Sequence, residues 1–105
     1  MKHEWKQTIG VNRGQPRLTL WNRKLIECGF PSGQPITLTK DKTSLTVTPD
    51  PKGARKVLRV MNHGIALPVI EFLGNWIAHI GGKGTIVTVT VEPGKIRIHS
   101  PQVRG

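Results

Sequence analysis

The sequence predicts a mainly β fold with two short helices, built from two diverged copies of one unit that pair about a pseudo-twofold axis. Three observations predict it. Apolar and polar residues alternate with the period of two that a half-buried strand requires. Glycines interrupt these runs at matching places in both halves of the chain. The apolar positions of residues 18–47 also recur, in order, in residues 70–98.

A chain of 105 residues has the length of one ordinary domain and can bury a modest core without disulfides or a structural metal. One compact domain, 1–105, is expected. The first repeat covers about 6–49, the linker about 50–55 and the second repeat about 56–100, the linker following from the prolines and glycine of Pro49-Asp50-Pro51-Lys52-Gly53.

Each repeat is expected to open with a leading strand and turn, around residues 6–12 and 56–62, because Val11-Asn12-Arg13-Gly14 resembles Met61-Asn62-His63-Gly64. An alternating stretch follows, Leu18-Thr19-Leu20 in one copy and Ile70-Glu71-Phe72 in the other. Next comes a short helix, started at Asn22 or at Gly74-Asn75 and stopped by Gly29 or Gly81 in the C-terminal capping position. Trp76, Ile77 and Ile80 fall on one face of such a helix, and Leu25 and Cys28 occupy the places of Ile77 and Ile80. That makes Cys28 a small core residue and not a nucleophile.

A hairpin closes each repeat. In residues 86–99, Val87, Val89, Val91, Ile96 and Ile98 should point inward around the turn Pro93-Gly94. In the first copy Ile36, Leu38, Leu45 and Val47 point inward and Thr37, Thr39, Thr46 and Thr48 outward, joined by the polar turn 40–43. Position by position, Leu18, Leu20, Leu25, Cys28 and Gly29 meet Ile70, Phe72, Ile77, Ile80 and Gly81. After one lost residue, Gly33, Ile36, Leu38, Leu45 and Val47 meet Gly84, Val87, Val89, Ile96 and Ile98. One such unit has too little core to stand alone, so the two are expected to cover each other's apolar faces.

The second copy, Pro68-x-Ile70-x-Phe72-x-Gly74-Asn75-Trp76-Ile77-x-x-Ile80-Gly81-x-x-Gly84 with its continuation Val91-Glu92-Pro93-Gly94-Lys95-Ile96-Arg97-Ile98, resembles the SymE-type toxin family of bacteria. The first copy keeps a related pattern but has Asn22 in place of Gly74 and Lys24 in place of Trp76. The resemblance implies an AbrB-like swapped-hairpin barrel with both halves in one chain. It also implies a small bacterial protein acting on DNA or RNA. The shared positions are mainly glycines and core residues, which report fold better than activity.

Sixteen Lys and Arg against six Asp and Glu give a formal charge of +10, and the pI is near 10.8. An imbalance of this size attracts polyanions through solvent, so nucleic acid, DNA or RNA, is the expected partner. Lys52, Arg55, Lys56 and Arg59 carry four positive charges with no acid among them. They contact several phosphates if they lie on one side, and form a solvated linker otherwise. Arg13, Arg17, Arg23 and Lys24 surround the first strand and helix, the region that AbrB-like barrels present to DNA. Asn75 and Trp76 stand where Arg23 and Lys24 do, which predicts one stronger and one weaker half-surface. Trp5 and Trp21 suit either base stacking or packing.

No cofactor or metal is expected, since His3, His63, His79 and His99 fall in separate elements without a recognised ligand spacing. The loop Gly81-Gly82-Lys83-Gly84 lacks the spacing of a phosphate-binding P-loop. Catalysis without metal wants a paired acid and base, for which His63 or His99 with Glu92 are the available groups. The reading is therefore a non-enzymatic nucleic-acid-binding protein with a toxin or regulatory role. Two alternatives are an RNA-cleaving toxin and a mobile-element-encoded, anti-CRISPR-like inhibitor acting on a host protein complex. No apolar run approaches a membrane span, the N-terminus lacks a signal-like stretch, and the lone Cys28 has no internal partner. These features point to a cytoplasmic protein, a monomeric pseudo-dimer or a homodimer.

Overall fold

In the computed structural model, which describes residues 2–100, ten strands form two antiparallel sheets around one core. The strands are β1 (His3–Thr8), β2 (Gly10–Asn12), β3 (Gln15–Trp21), β4 (Pro35–Lys40), β5 (Ser44–Pro49), β6 (Arg55–Lys56), β7 (Leu58–Asn62), β8 (Ile65–Leu73), β9 (Ile86–Glu92) and β10 (Lys95–His99). One sheet has the order β1-β9-β10-β5-β4-β6 and the other β2-β3-β8-β7. Both sheets are open, and they share no hydrogen-bonded strand pair among the described residues.

Alternation sets the faces as the sequence predicts. Val87, Val89, Val91, Ile96, Ile98, Ile36, Leu45 and Val47 are buried on the inner face of the larger sheet, with Leu38 packed at its margin. Leu18, Leu20, Ile70 and Phe72 supply the inner face of the smaller one. Each such side chain contributes roughly 1.5–3 kcal/mol by leaving water, so this apolar layer holds the two sheets together.

Both strand orders read the same from either end once first-half and second-half strands are exchanged. Leu18 faces Phe72 and Leu20 faces Ile70 across β3 and β8, with Thr19 opposite Glu71 at the centre. Across β5 and β10, Val47 faces Ile96 and Leu45 faces Ile98, with Thr46 opposite Arg97.

The leading strands depart from the expected single runs at 6–12 and 56–62. Each is broken in two by a buried residue, Ile9 or Val57, where the chain passes from the larger sheet to the smaller. Both polar groups of each crossing residue bond to the loop of the other half. Ile9 N–H donates to the Thr85 carbonyl (2.8 Å) while its carbonyl accepts from Gly84 (2.8 Å); Val57 does the same with Gln34 (2.9 Å) and Gly33 (2.7 Å). A buried backbone group needs a partner, and here the partner is always in the opposite half. β1 accordingly pairs with β9, and β6 with β4.

The turns Arg13-Gly14 and His63-Gly64 have matched backbone angles, φ 54° and 80° against 52° and 77°. Positive φ at both central residues is the two-residue hairpin turn whose twist suits the flanking strands. The second hairpin is longer by two residues on each strand, β7 and β8 having 5 and 9 residues against 3 and 7 in β2 and β3. A difference of two per strand leaves the inward and outward faces in step.

The expectation of two short helices is corrected. Only the first segment is α-helical, as the single turn α1 (Lys24–Glu27). The Asn22 side chain accepts from Lys24 N–H (3.0 Å) at its start. At its end Gly29, with φ 95°, lets Gly29 N–H reach Ile26 and Phe30 N–H reach Leu25, the paired bonds of a glycine-terminated helix. The second segment is a 3-10 turn, Gly74–Trp76. Lys, Leu and Glu in α1 favour helix, whereas Gly74, Asn75 and Trp76 do not.

Candidate nucleic-acid interface

The outer faces of the two sheets differ in chemistry. Strand alternation puts Thr46, Thr48, Thr88 and Thr90 on the outer face of the larger sheet, with Arg97 between Thr46 and Thr90. The outer face of the smaller sheet carries Arg17, Thr19 and Trp21 from β3, Val69 and Glu71 from β8, and Leu58 and Val60 from β7. These seven residues, with Gly10, Val11 and Arg59, line a shallow groove of about 620 Å³.

The eight candidate cationic residues do not form one patch. Arg13 is exposed at a hairpin tip, Arg23 and Lys24 are exposed at α1, and Lys52 is exposed in the turn before β6. Arg17 and Arg59 are both exposed, Arg17 on the outer face of the smaller sheet and Arg59, opposite the buried Pro68, turned to the other face at its edge. The run 52–59 lies on no single side. Arg55 shares its face with the buried Ile36 opposite it, and alternation turns Lys56 the other way. Arg59 lies beyond the Val57 crossing, in the smaller sheet.

Two of the eight are held by the protein itself. The Arg17 guanidinium donates through Nε and Nη2 to Glu71 Oε2, each at 2.7 Å. Arg55 Nη2 donates to the Glu71 carbonyl (3.0 Å) and its guanidinium lies 5.8 Å from the Trp76 ring centre. Lys40 Nζ lies 5.2 Å from the same ring and donates to the Asn75 carbonyl (3.0 Å). Trp76 is thus packed against the core and flanked by two cations, an arrangement that favours the ring's negative faces. Among the described residues the only other ion-pair contact is His3 with Glu27, at 3.7 Å. Arg13, Arg23, Lys24, Lys52, Lys56 and Arg59 have no carboxylate partner there.

Of the tryptophans weighed for stacking, Trp5 is half-buried and donates its indole N–H to Gln7 (3.0 Å). Trp21 is 53% exposed and lines the groove. Lys40 as a structural cation was not legible in the sequence, because nothing local places it against Trp76. His99 sits opposite Thr88 and Glu92 opposite Lys95, at opposite ends of one hairpin, roughly 13 Å apart by strand rise. His63 is at a turn of the other sheet. The described residues contain no group of three or more His, Cys, Asp or Glu suited to a metal ion. Cys28 is buried, and desolvation, reinforced by nearby Glu27, raises its thiol pKa. A thiol in that state is a poor nucleophile. No described helix is long and apolar enough to cross a membrane.

No family model, curated protein or solved structure matches the chain.

Proposed function

We propose that this protein is an internally duplicated, swapped-hairpin chain of the SymE/AbrB-like kind that binds nucleic acid, with DNA as the first ligand, through exposed Lys and Arg. The crossed registers of the β3–β8 and β5–β10 pairs support the duplication. The exchange of leading strands between halves supports the swapped-hairpin description. The observation that carries the binding function is charge without compensation. In a chain of charge +10, six of the eight candidate cations are exposed and have no acidic partner among the described residues. Such cations gain by displacing the counterions that surround a phosphate backbone.

The test is fluorescence anisotropy with duplex DNA, single-stranded DNA and RNA across a salt series. Affinity should fall linearly on a log–log plot, with a slope of about −0.9 per duplex phosphate neutralised. Replacing Arg23 and Lys24 together by serine should reduce that slope by about 2. Absence of binding to all three ligands at low salt refutes the proposal.

A further inference from the structure

The groove on the smaller sheet has no part in a purely electrostatic account. Its composition is unusual for a solvent-facing sheet surface. Trp21 is 53%, Leu58 55% and Val60 42% exposed there, while an ordinary outer face would carry polar residues at these positions. Exposed apolar surface gathered in a concavity marks a place where something binds.

The polar groups in the groove indicate what it takes. Trp21 stands opposite Val69 in the register, which supports the indole from the neighbouring strand and leaves the ring accessible. Arg59 borders the groove on β7, but it stands opposite the buried Pro68, so alternation sends its side chain to the other face from Leu58 and Val60. Arg17 is fixed by two bonds to a single oxygen, Glu71 Oε2. Glu71 Oε1 therefore keeps its acceptor capacity, and further Arg17 N–H groups remain available to donate. An accessible indole and an oriented donor–acceptor pair match a nucleobase: the ring takes the base face and the Arg17–Glu71 pair the base edge. A paired base hides both its faces and its Watson–Crick edge inside the duplex.

From this, and resting on the nucleic-acid-binding reading above, we infer that the groove takes an unpaired base of single-stranded nucleic acid, stacked on Trp21, with its edge on the Arg17–Glu71 pair. Single strands are then preferred at this site, while the cations outside the groove serve duplex and single strand alike.

The test uses the full chain, labelled oligothymidylate and oligocytidylate, and a duplex, at low salt. Wild type is compared with Trp21→Ala and Trp21→Phe, and folding is checked by circular dichroism; Trp21 is outside the core, so both variants should fold. The expected result is loss of single-strand affinity by roughly 5- to 150-fold in Trp21→Ala, the range that a base–aromatic stack supplies. Near-wild-type binding is expected in Trp21→Phe, with duplex affinity unchanged in both. Bound oligonucleotide should also quench tryptophan fluorescence in wild type and much less in Trp21→Ala. If wild type binds single strands and Trp21→Ala binds them equally well, this inference fails while the electrostatic reading stands. If wild type binds nothing, the underlying reading fails first. If sedimentation shows a dimer that Trp21→Ala dissociates without altering single-strand affinity, the face joins two copies of the chain and the inference is overturned.

Discussion

The two leading strands perform one task with different means. Each runs along the other half's closing hairpin, crosses at a buried residue and enters the smaller sheet. β1 does this mainly with backbone, pairing six residues with β9, from His3 opposite Val91 to Thr8 opposite Ile86. β6 pairs only two residues with β4. Side chains and a tight turn supply the rest: Asp50, Gly53, and Arg55 against Trp76. One further pair of residues makes the comparison sharp. Gln7 donates to the Thr19 carbonyl (2.6 Å) and Arg55 to the Glu71 carbonyl (3.0 Å), and Thr19 and Glu71 face each other at the centre of the smaller sheet. The same bond is made by a neutral amide on one side and a cation on the other. A strongly basic chain thus spends part of its charge on its own framework, and the sequence does not mark which part.

The largest break in this comparison is expected at Gly53. A Cβ there would lie 2.2 Å from the Ile36 carbonyl oxygen and 2.5 Å from its carbon. These are backbone atoms, so neither strand can yield without disturbing the β4–β6 pair. Gly53→Ala should cost about 3 kcal/mol, at the upper end for overpacking. Gly10→Ala on the opposite leading strand, where the nearest atom is at 3.8 Å, should cost far less; urea unfolding of both variants makes the comparison.

A smaller effect separates Arg55 from Gln7. Gln7→Ala removes its bond to the Thr19 carbonyl and the one it accepts from the Trp5 indole, about 1–2 kcal/mol together. Arg55→Ala removes the equivalent bond together with the contact on Trp76, about 2 kcal/mol in all. Arg55→Ala should change the surroundings of Trp76 and Gln7→Ala those of Trp5, so the indole resonances in an NMR spectrum tell the two apart. Wild-type stability in Arg55→Gln, which keeps a donor for the Glu71 carbonyl, would mean that the stacked cation contributes nothing.

The smallest effect is a pH dependence confined to the second leading segment. The Asp50 carboxylate accepts first from the Thr37 hydroxyl (2.7 Å) and then from Lys52 N–H (2.9 Å), and both hold its pKa below the ordinary aspartate value against a weak opposing desolvation. Because the folded pKa lies below the unfolded one, this contribution is complete above the usual aspartate range and is lost as pH falls through the depressed folded value. Asp50→Asn should lower stability slightly at neutral pH and leave the strongly acid region nearly unchanged, so the acid limb becomes flatter. A melting-temperature series from neutral to strongly acid pH reads this directly.

Much of the framework was legible because strand and turn signals are local. Alternation identified the inward residues of β4, β5, β9 and β10, and Gly29 marked the end of α1. The second helix was misread because Ile77 and Ile80 are buried by the turn that carries them, so a core pattern at helical spacing arose without a helix. Ile9 and Val57 escaped notice because a single buried residue between two short strands has no period. Within the candidate site, exposure of Arg23 and Lys24 followed from polarity and position. Arg55 did not, because its inward direction depends on its place opposite Ile36.

The sequence by itself determined the charge, the faces of the strands, the turn positions and the matching order of the two halves, since each is written in neighbouring residues. The tertiary structure alone decided that β1 pairs with β9 and β6 with β4, that Arg17 and Arg55 bond within the protein, and that Trp21 and the Arg17–Glu71 pair line one groove. Periodicity tells a side chain which way to face, but its neighbour on the next strand comes from a distant part of the chain. Only the register, fixed when both apolar faces close on a common core, selects that neighbour.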